Sequence, residues 1–119
     1  MNLKETMQQK TFVIVGDTLN KEKYAYKIKQ RMIEAGYTVY CVGKELTSIN
    51  EVPVKIDVID LCINPIKGLQ LIQECNKNFQ NIVIQPGAES EDLLKFLIEK
   101  NAPYIESCLL VGLNRYVDQ

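Results

Sequence analysis

The chain has 119 residues, of which 46% are hydrophobic and 24% charged; that is ordinary globular usage and excludes a disordered, collagenous or low-complexity polymer. The length suits one compact domain over 1–119 and is too short for two separate cores. Fourteen Lys and Arg against fifteen Asp and Glu leave a net charge of −1, without the basic excess of a nucleic-acid binder. Residues 1–10 (MNLKETMQQK) read as a polar, aperiodic extension without the apolar core of a secretion signal. Thr11–Gly16 (TFVIVG) is a short apolar run closed by glycine, the pattern of a buried strand. From Lys21 to Ala35, Ala25, Ile28, Met32 and Ala35 recur at helical spacing and Gly36 follows as a stop, which predicts an amphipathic helix. Tyr37–Val42 (YTVYCV) is rich in β-branched and aromatic residues and ends at Gly43, as a second strand would. Lys44–Lys55 reads as a long polar connection. Ile56–Ile63 (IDVIDLCI) predicts strand three; Asp57 and Asp60 interrupt it three residues apart, hence on opposite faces, and form no catalytic pair. Asn64-Pro65 is a helix cap followed by a first-turn proline, with Ile66, Leu69, Ile72, Cys75 and Phe79 the expected stripe of a helix to about Phe79. Asn81–Gln85 predicts strand four, stopped by Pro86-Gly87. Ser90, Glu91 and Asp92 open another helix, with Leu93, Leu94, Leu97 and Ile98 inside. Pro103–Glu106 is a short last strand, leading through Ser107 and Cys108 to an apolar tail, Leu109–Leu113.

Strands alternating with helices predict an α/β fold of three layers: an open parallel sheet of about five strands with helices on both faces. The connection 44–55 lets strand three cross to the far side of strand one, and the order 3-2-1-4-5 or a close relative is expected. Ligands of such sheets bind at the carboxyl ends of the strands, near the reversal of strand order. Four segments meet that edge: Gly16 to Asn20, Gly43 to Glu45, Ile63 to Pro65 and Gln85 to Ala88. In the first, Gly16 is followed by a polar loop, Asp17, Thr18, Leu19, Asn20 and Lys21, whose amides and following helix start suit a phosphate. Residues 16–44 hold six basic side chains, Lys21, Lys23, Lys27, Lys29, Arg31 and Lys44, against Asp17, Glu22 and Glu34. The loop GDTLNK lacks the second and third glycines of a dinucleotide fingerprint. Gly43-Lys44 stands where an acidic residue would hold an adenosine ribose, and a lysine there suits an added phosphate better than a bare diol.

The four cysteines, Cys41, Cys62, Cys75 and Cys108, are widely spaced and no histidine accompanies them, so no zinc site is expected. Cys41, Cys62 and Cys108 fall at or beyond strand ends on the ligand edge, and Cys75 on a helix stripe. Cysteine packs as a small hydrophobe, but an exposed Cys108 could exchange with a ligand thiol to a mixed disulfide. No nucleophile–base pair is visible, so no catalysis is expected.

The runs IDVIDLCINPIKGL, NIVIQPGAES and ESCLLVGL resemble the stand-alone CoA-binding domain family, whose Rossmann-like fold is also that of the N-terminal domain of the succinyl-CoA synthetase alpha subunit. The resemblance covers about Thr11 to Leu113. It implies coenzyme A or an acyl-CoA as ligand, the pyrophosphate at Gly16 to Asn20, the adenosine 3′-phosphate end near Gly43 and Lys44, and the adenine by Ile63, Asn64 and Pro65. Gln85, Pro86 and Gly87 would then flank the pantetheine arm. Many relatives carry serine and proline in the first loop and Asn-Pro after strand two, where this chain has DTLNK, with Asp17 positioned to repel a phosphate, and Gly43-Lys44. Two other readings stay open: a redox regulator or small oxidoreductase using NAD(H), and an interaction module with a vestigial crevice whose tail Leu109–Leu113 buries against a second subunit or another protein. A nucleotide-type ligand and a cytoplasmic location, with no membrane partner, are the expectation.

Overall fold

Five apolar runs form five parallel strands: β1 (Thr11–Gly16), β2 (Thr38–Gly43), β3 (Val58–Cys62), β4 (Asn81–Ile84) and β5 (Tyr104–Glu106). The computed structural model describes residues 1–118. The helices are α1 (Leu3–Thr6), α2 (Tyr24–Glu34), α3 (Pro65–Glu74), α4 (Glu91–Glu99) and α5 (Leu109–Tyr116), with a 3-10 turn at Ile49–Glu51. Alternation along each strand divides the core. Val13, Val15, Ile59, Leu61, Ile82 and Ile84 face α3, α4 and the β2–β3 crossover, whereas Phe12, Ile14, Val58 and Val83 face α1, α2 and α5. Each face is thus closed by helices, and the three-layer Rossmann-like architecture follows. None of the helices among the described residues is long and apolar enough to cross a membrane.

The strand order is 2-1-3-4-5, not 3-2-1-4-5. The physical reason lies in burial: Val58 to Leu61 are all buried, whereas Thr38, Val39 and Tyr40 are exposed or half-buried. A strand without a solvent-facing residue belongs in the centre; the half-exposed one takes the edge. The order reverses between β1 and β3, and a crevice opens there on the carboxyl edge.

Several boundaries also move. α2 starts at Tyr24 rather than Lys21, because Asp17 and Asn20 accept from backbone amides and hold 17–22 in turns. α3 ends at Glu74 rather than Phe79, where Asn50 accepts from the amide of Asn76 and donates to the carbonyl of Glu74. Its buried residues are Gly68, Leu71 and Ile72, and Ile66 is exposed. The polar connection 44–55 buries Ile49 and Val52, so it closes the sheet without an α-helix. Residues 1–10 include α1, with a reciprocal Asn2–Glu5 capping box. The tail is the helix α5: Leu109 and Leu113 are fully buried in this chain's own core, which removes them from any surface offered to a second subunit. Asp57 accepts from the amides of Lys10 and Thr11 and ties the start of β1 to that of β3.

Candidate functional site

At the carboxyl edge, β1, β3 and β4 end in loops that border a cleft of about 490 Å³, inside the ~300–1,000 Å³ range of small-molecule sites. β1 contributes Asp17; the start of α2 contributes Lys23, Tyr24 and Ala25; β3 contributes Cys62, Ile63 and Asn64; and β4 contributes Pro86, Gly87 and Ala88. A smaller pocket of about 230 Å³ shares Tyr24, Cys62 and Pro86 with it and adds Gln85 and Cys108.

Local chemistry explains the shape. Gly16 lies in register with Gly43 on one side and Cys62 on the other, and its missing side chain lets the start of α2 approach the strand ends. Gly87 adopts φ +93°, a conformation that favours glycine, and its amide donates to Glu89. Asn64 caps α3 by accepting from the amide of Lys67 at 2.9 Å, with Pro65 in the first turn. Lys23, the N-cap of α2, makes no side-chain hydrogen bond to its first turn. Two helix starts therefore meet at the cleft, and one has no side-chain cap; each carries a positive dipole end.

The first loop is organised by its own side chains. The Asp17 carboxylate accepts from the amides of Leu19 and Asn20 at 3.3 and 3.2 Å. The Thr18 hydroxyl is buried and donates to Glu45 at 2.5 Å, and Glu45 also pairs with Lys29 at 2.9 Å. Partial burial pushes the Glu45 acid up, but the bonds from Thr18 and Lys29 outweigh it and hold the group below its ordinary range. This carboxylate is thus committed to the β1–β2 junction.

Of the residues the sequence singles out, Asp17, Ile63, Asn64, Pro86 and Gly87 line the main cleft and Gln85 and Cys108 the smaller pocket. Pro65 starts α3 just behind the rim. Leu19, Asn20, Lys21 and Lys44 are exposed, and with Gly43 they stand outside both linings. Tyr24 and Ala25 join the lining, Ala25 although its helical spacing marks it as a core residue, and Cys62 lines both pockets from the end of β3. The Asx turns at Asp17 and Asn20, which delay the helix, are the signal that points to Tyr24. Cys41 lies within β2, buried against the α2 side, and burial pushes its thiol up to about 11. Cys75 is half-buried at the end of α3. Among the described residues, no three His, Cys, Asp or Glu side chains gather as a metal site would need.

Below the pocket, Asp60 is fully buried and its Oδ1 accepts from Gln85 Nε2 at 2.6 Å, while Oδ2 has no partner. Burial raises this acid to about 7, against the opposing effect of the Gln85 bond. Burial likewise pushes the Cys62 thiol up to about 12, with Asp60 and Cys108 adding to it.

Among solved structures, a conserved hypothetical protein from Pyrococcus furiosus is 28% identical, with TM-score 0.76 over 87% of this chain and 98% of its own. A hypothetical protein from Pyrococcus horikoshii, 18% identical with TM-score 0.79 over 98% and 92%, and a Thermus thermophilus protein, 20% identical with TM-score 0.74 over 98% and 99%, share the fold. No curated protein matches the chain. The sequence pattern of the CoA binding domain runs from residue 10 to residue 114, through every strand and every cleft-lining loop, and the chain belongs to that family.

Proposed function

We propose that this protein binds coenzyme A or an acyl-CoA at the carboxyl edge of its sheet and has no catalysis of its own. The observation that carries the reading is the meeting of two helix starts and Lys23 in one cleft, at the reversal of strand order, in a member of a CoA-binding family. Because Asp17 already takes the amides of Leu19 and Asn20, the diphosphate belongs against Lys23 and the first turn of α2. The pantetheine arm runs past Gln85, Pro86 and Gly87, the adenine lies by Ile63 to Pro65, and the 3′-phosphate lies toward Lys44. Glu45, held by Thr18 and Lys29, is unavailable to a ribose diol, which disfavours NAD(H).

A ligand that binds only the folded state raises the melting temperature. Coenzyme A is expected to do so, more strongly than dephospho-CoA if Lys44 reads the 3′-phosphate. Equal calorimetric affinities would remove Lys44 from the site, and a shift with NADH but none with coenzyme A would overturn the reading.

Asp17→Asn keeps an oxygen for the two loop amides and removes a negative charge beside the diphosphate. Two unit charges about 4 Å apart in water interact by about 1 kcal/mol, so coenzyme A should bind about five times more tightly at low salt, with the gain shrinking at high salt. Unchanged affinity would place the diphosphate away from this loop.

Cys108 is half-exposed at the smaller pocket. With CoA disulfide, its thiolate attacks one sulfur, the S–S bond breaks, and one CoA thiolate leaves and takes a proton. The adduct should persist, because Cys62 in the same pocket supplies little thiolate to resolve it. Mass spectrometry is expected to find one CoA adduct on the native protein and none on Cys108→Ser; no adduct on either would end this role for Cys108.

A further inference from the structure

Asp60 stands where packing alone would place a hydrocarbon. Its neighbours in the strand row are Ile14 and Val83, both fully buried under α2 and α5. In that setting its Oδ1 takes one hydrogen bond, from Gln85 Nε2 at 2.6 Å, and Oδ2 takes none. One step nearer the carboxyl edge, Gln85 and Cys62 line the 230 Å³ pocket with Tyr24, Pro86 and Cys108.

A side-chain amide has a donor end and an acceptor end, and their order matters to a ligand. An acceptor beneath it draws Nε2 inward and leaves the carbonyl Oε1 outward, where no hydrogen bond within the described residues occupies it. An apolar residue at 60 would let the amide rotate and present either end. The pocket therefore offers one oriented carbonyl among an aromatic ring, a proline and two thiols. A secondary amide carried between methylene groups matches that lining: its N–H meets the carbonyl and its carbons meet the walls.

We infer that Asp60 is a positioning residue, which turns the Gln85 carbonyl toward the pocket to accept an amide N–H of the pantetheine arm. This deepens the coenzyme A reading and rests on it. Asp60 touches no ligand; it acts through Gln85.

The test compares coenzyme A with 3′-phosphoadenosine 5′-diphosphate, which keeps the nucleotide and lacks every pantetheine amide, by calorimetry on the full chain. Asp60→Val and Gln85→Leu are each expected to weaken coenzyme A about tenfold, the size of one lost hydrogen bond with its orienting partner, and to leave the truncated nucleotide unaffected. The double variant should bind no more weakly than Gln85→Leu alone, since both changes remove one interaction. Thermal melting of Asp60→Val supplies the second readout: relieved of a buried carboxylate it should melt higher while binding less well, a combination that a purely structural role does not give. If Asp60→Val does not fold, Asp60→Asn, which keeps an acceptor but adds a competing donor, is expected to lose about threefold by the same comparison. Asp60 variants that bind coenzyme A like the native protein, or lose both ligands equally, overturn the positioning role while the coenzyme A reading stands. A native protein that binds neither ligand overturns that reading, and the assignment of Gln85 falls with it.

Discussion

Asp60→Asn should raise the stability of this protein at pH 8 by up to about 4 kcal/mol and leave it nearly unchanged at pH 4. The ordinary acid value is 3.8, and burial lifts it to about 7 in the folded chain; each unit of difference is worth about 1.4 kcal/mol. Below pH 4 folded and unfolded chains both hold the proton, and the residue adds no penalty. Between about pH 4 and 7 the folded chain keeps the proton that the unfolded chain has released, so native stability falls as pH rises. Above 7 the full penalty is present. Asparagine does not titrate, and its advantage should therefore grow across that window and then level off. Denaturant unfolding of both proteins at several pH values checks this; a difference independent of pH would mean that Asp60 is not the titrating group. A carboxylate with an orphaned oxygen in a hydrocarbon row is a cost that packing does not require, which fits a role in ligand recognition.

Gly16→Ala is expected to cost about 3 kcal/mol, the upper end of overpacking penalties, because the new methyl has nowhere to go. Its Cβ would lie 2.3 Å from the carbonyl oxygen of Cys62 and 2.9 Å from the Cβ of Ala25. The first is backbone of the central strand and the second a buried part of α2, so relief requires the sheet and helix to separate. Gly36→Ala provides the contrast: its φ is +93° but nothing lies within 4 Å of the added atom, and it should cost only the ~1–2 kcal/mol of left-handed backbone. Chemical denaturation should give a larger loss for Gly16→Ala and, since α2 moves away from β1, weaker coenzyme A binding as well. Equal losses at the two positions would show that the strand end can adjust.

Local patterning was enough for the five strands, the three long helices and the caps at Asn64 and Ser90, because apolar period and cap chemistry act over a few residues. The loops that border the cleft, after β1, β3 and β4, were also legible, since glycine and proline mark strand ends. The strand order was not: it depends on which strand loses solvent on both faces, and the apolar look of β3 and β2 alone does not rank them. From sequence the first loop offers its amides to a phosphate, yet Asp17 accepts two of them, and whether a loop carboxylate folds back on its own backbone is settled by where the chain around it goes. In the sequence Asp60 is an interruption of an apolar run; its hydrocarbon neighbours Ile14 and Val83 and its one partner Gln85 come from elsewhere in the chain. The tail Leu109–Leu113 looked available to a partner because its apolar residues had no visible destination, and the destination was the face beside α2. Secondary structure and the edge that carries the cleft thus follow from neighbours in the chain, whereas strand order, the buried Asp60 oxygen without a partner and the lining of the cleft follow from neighbours in space, brought together by burial of both sheet faces.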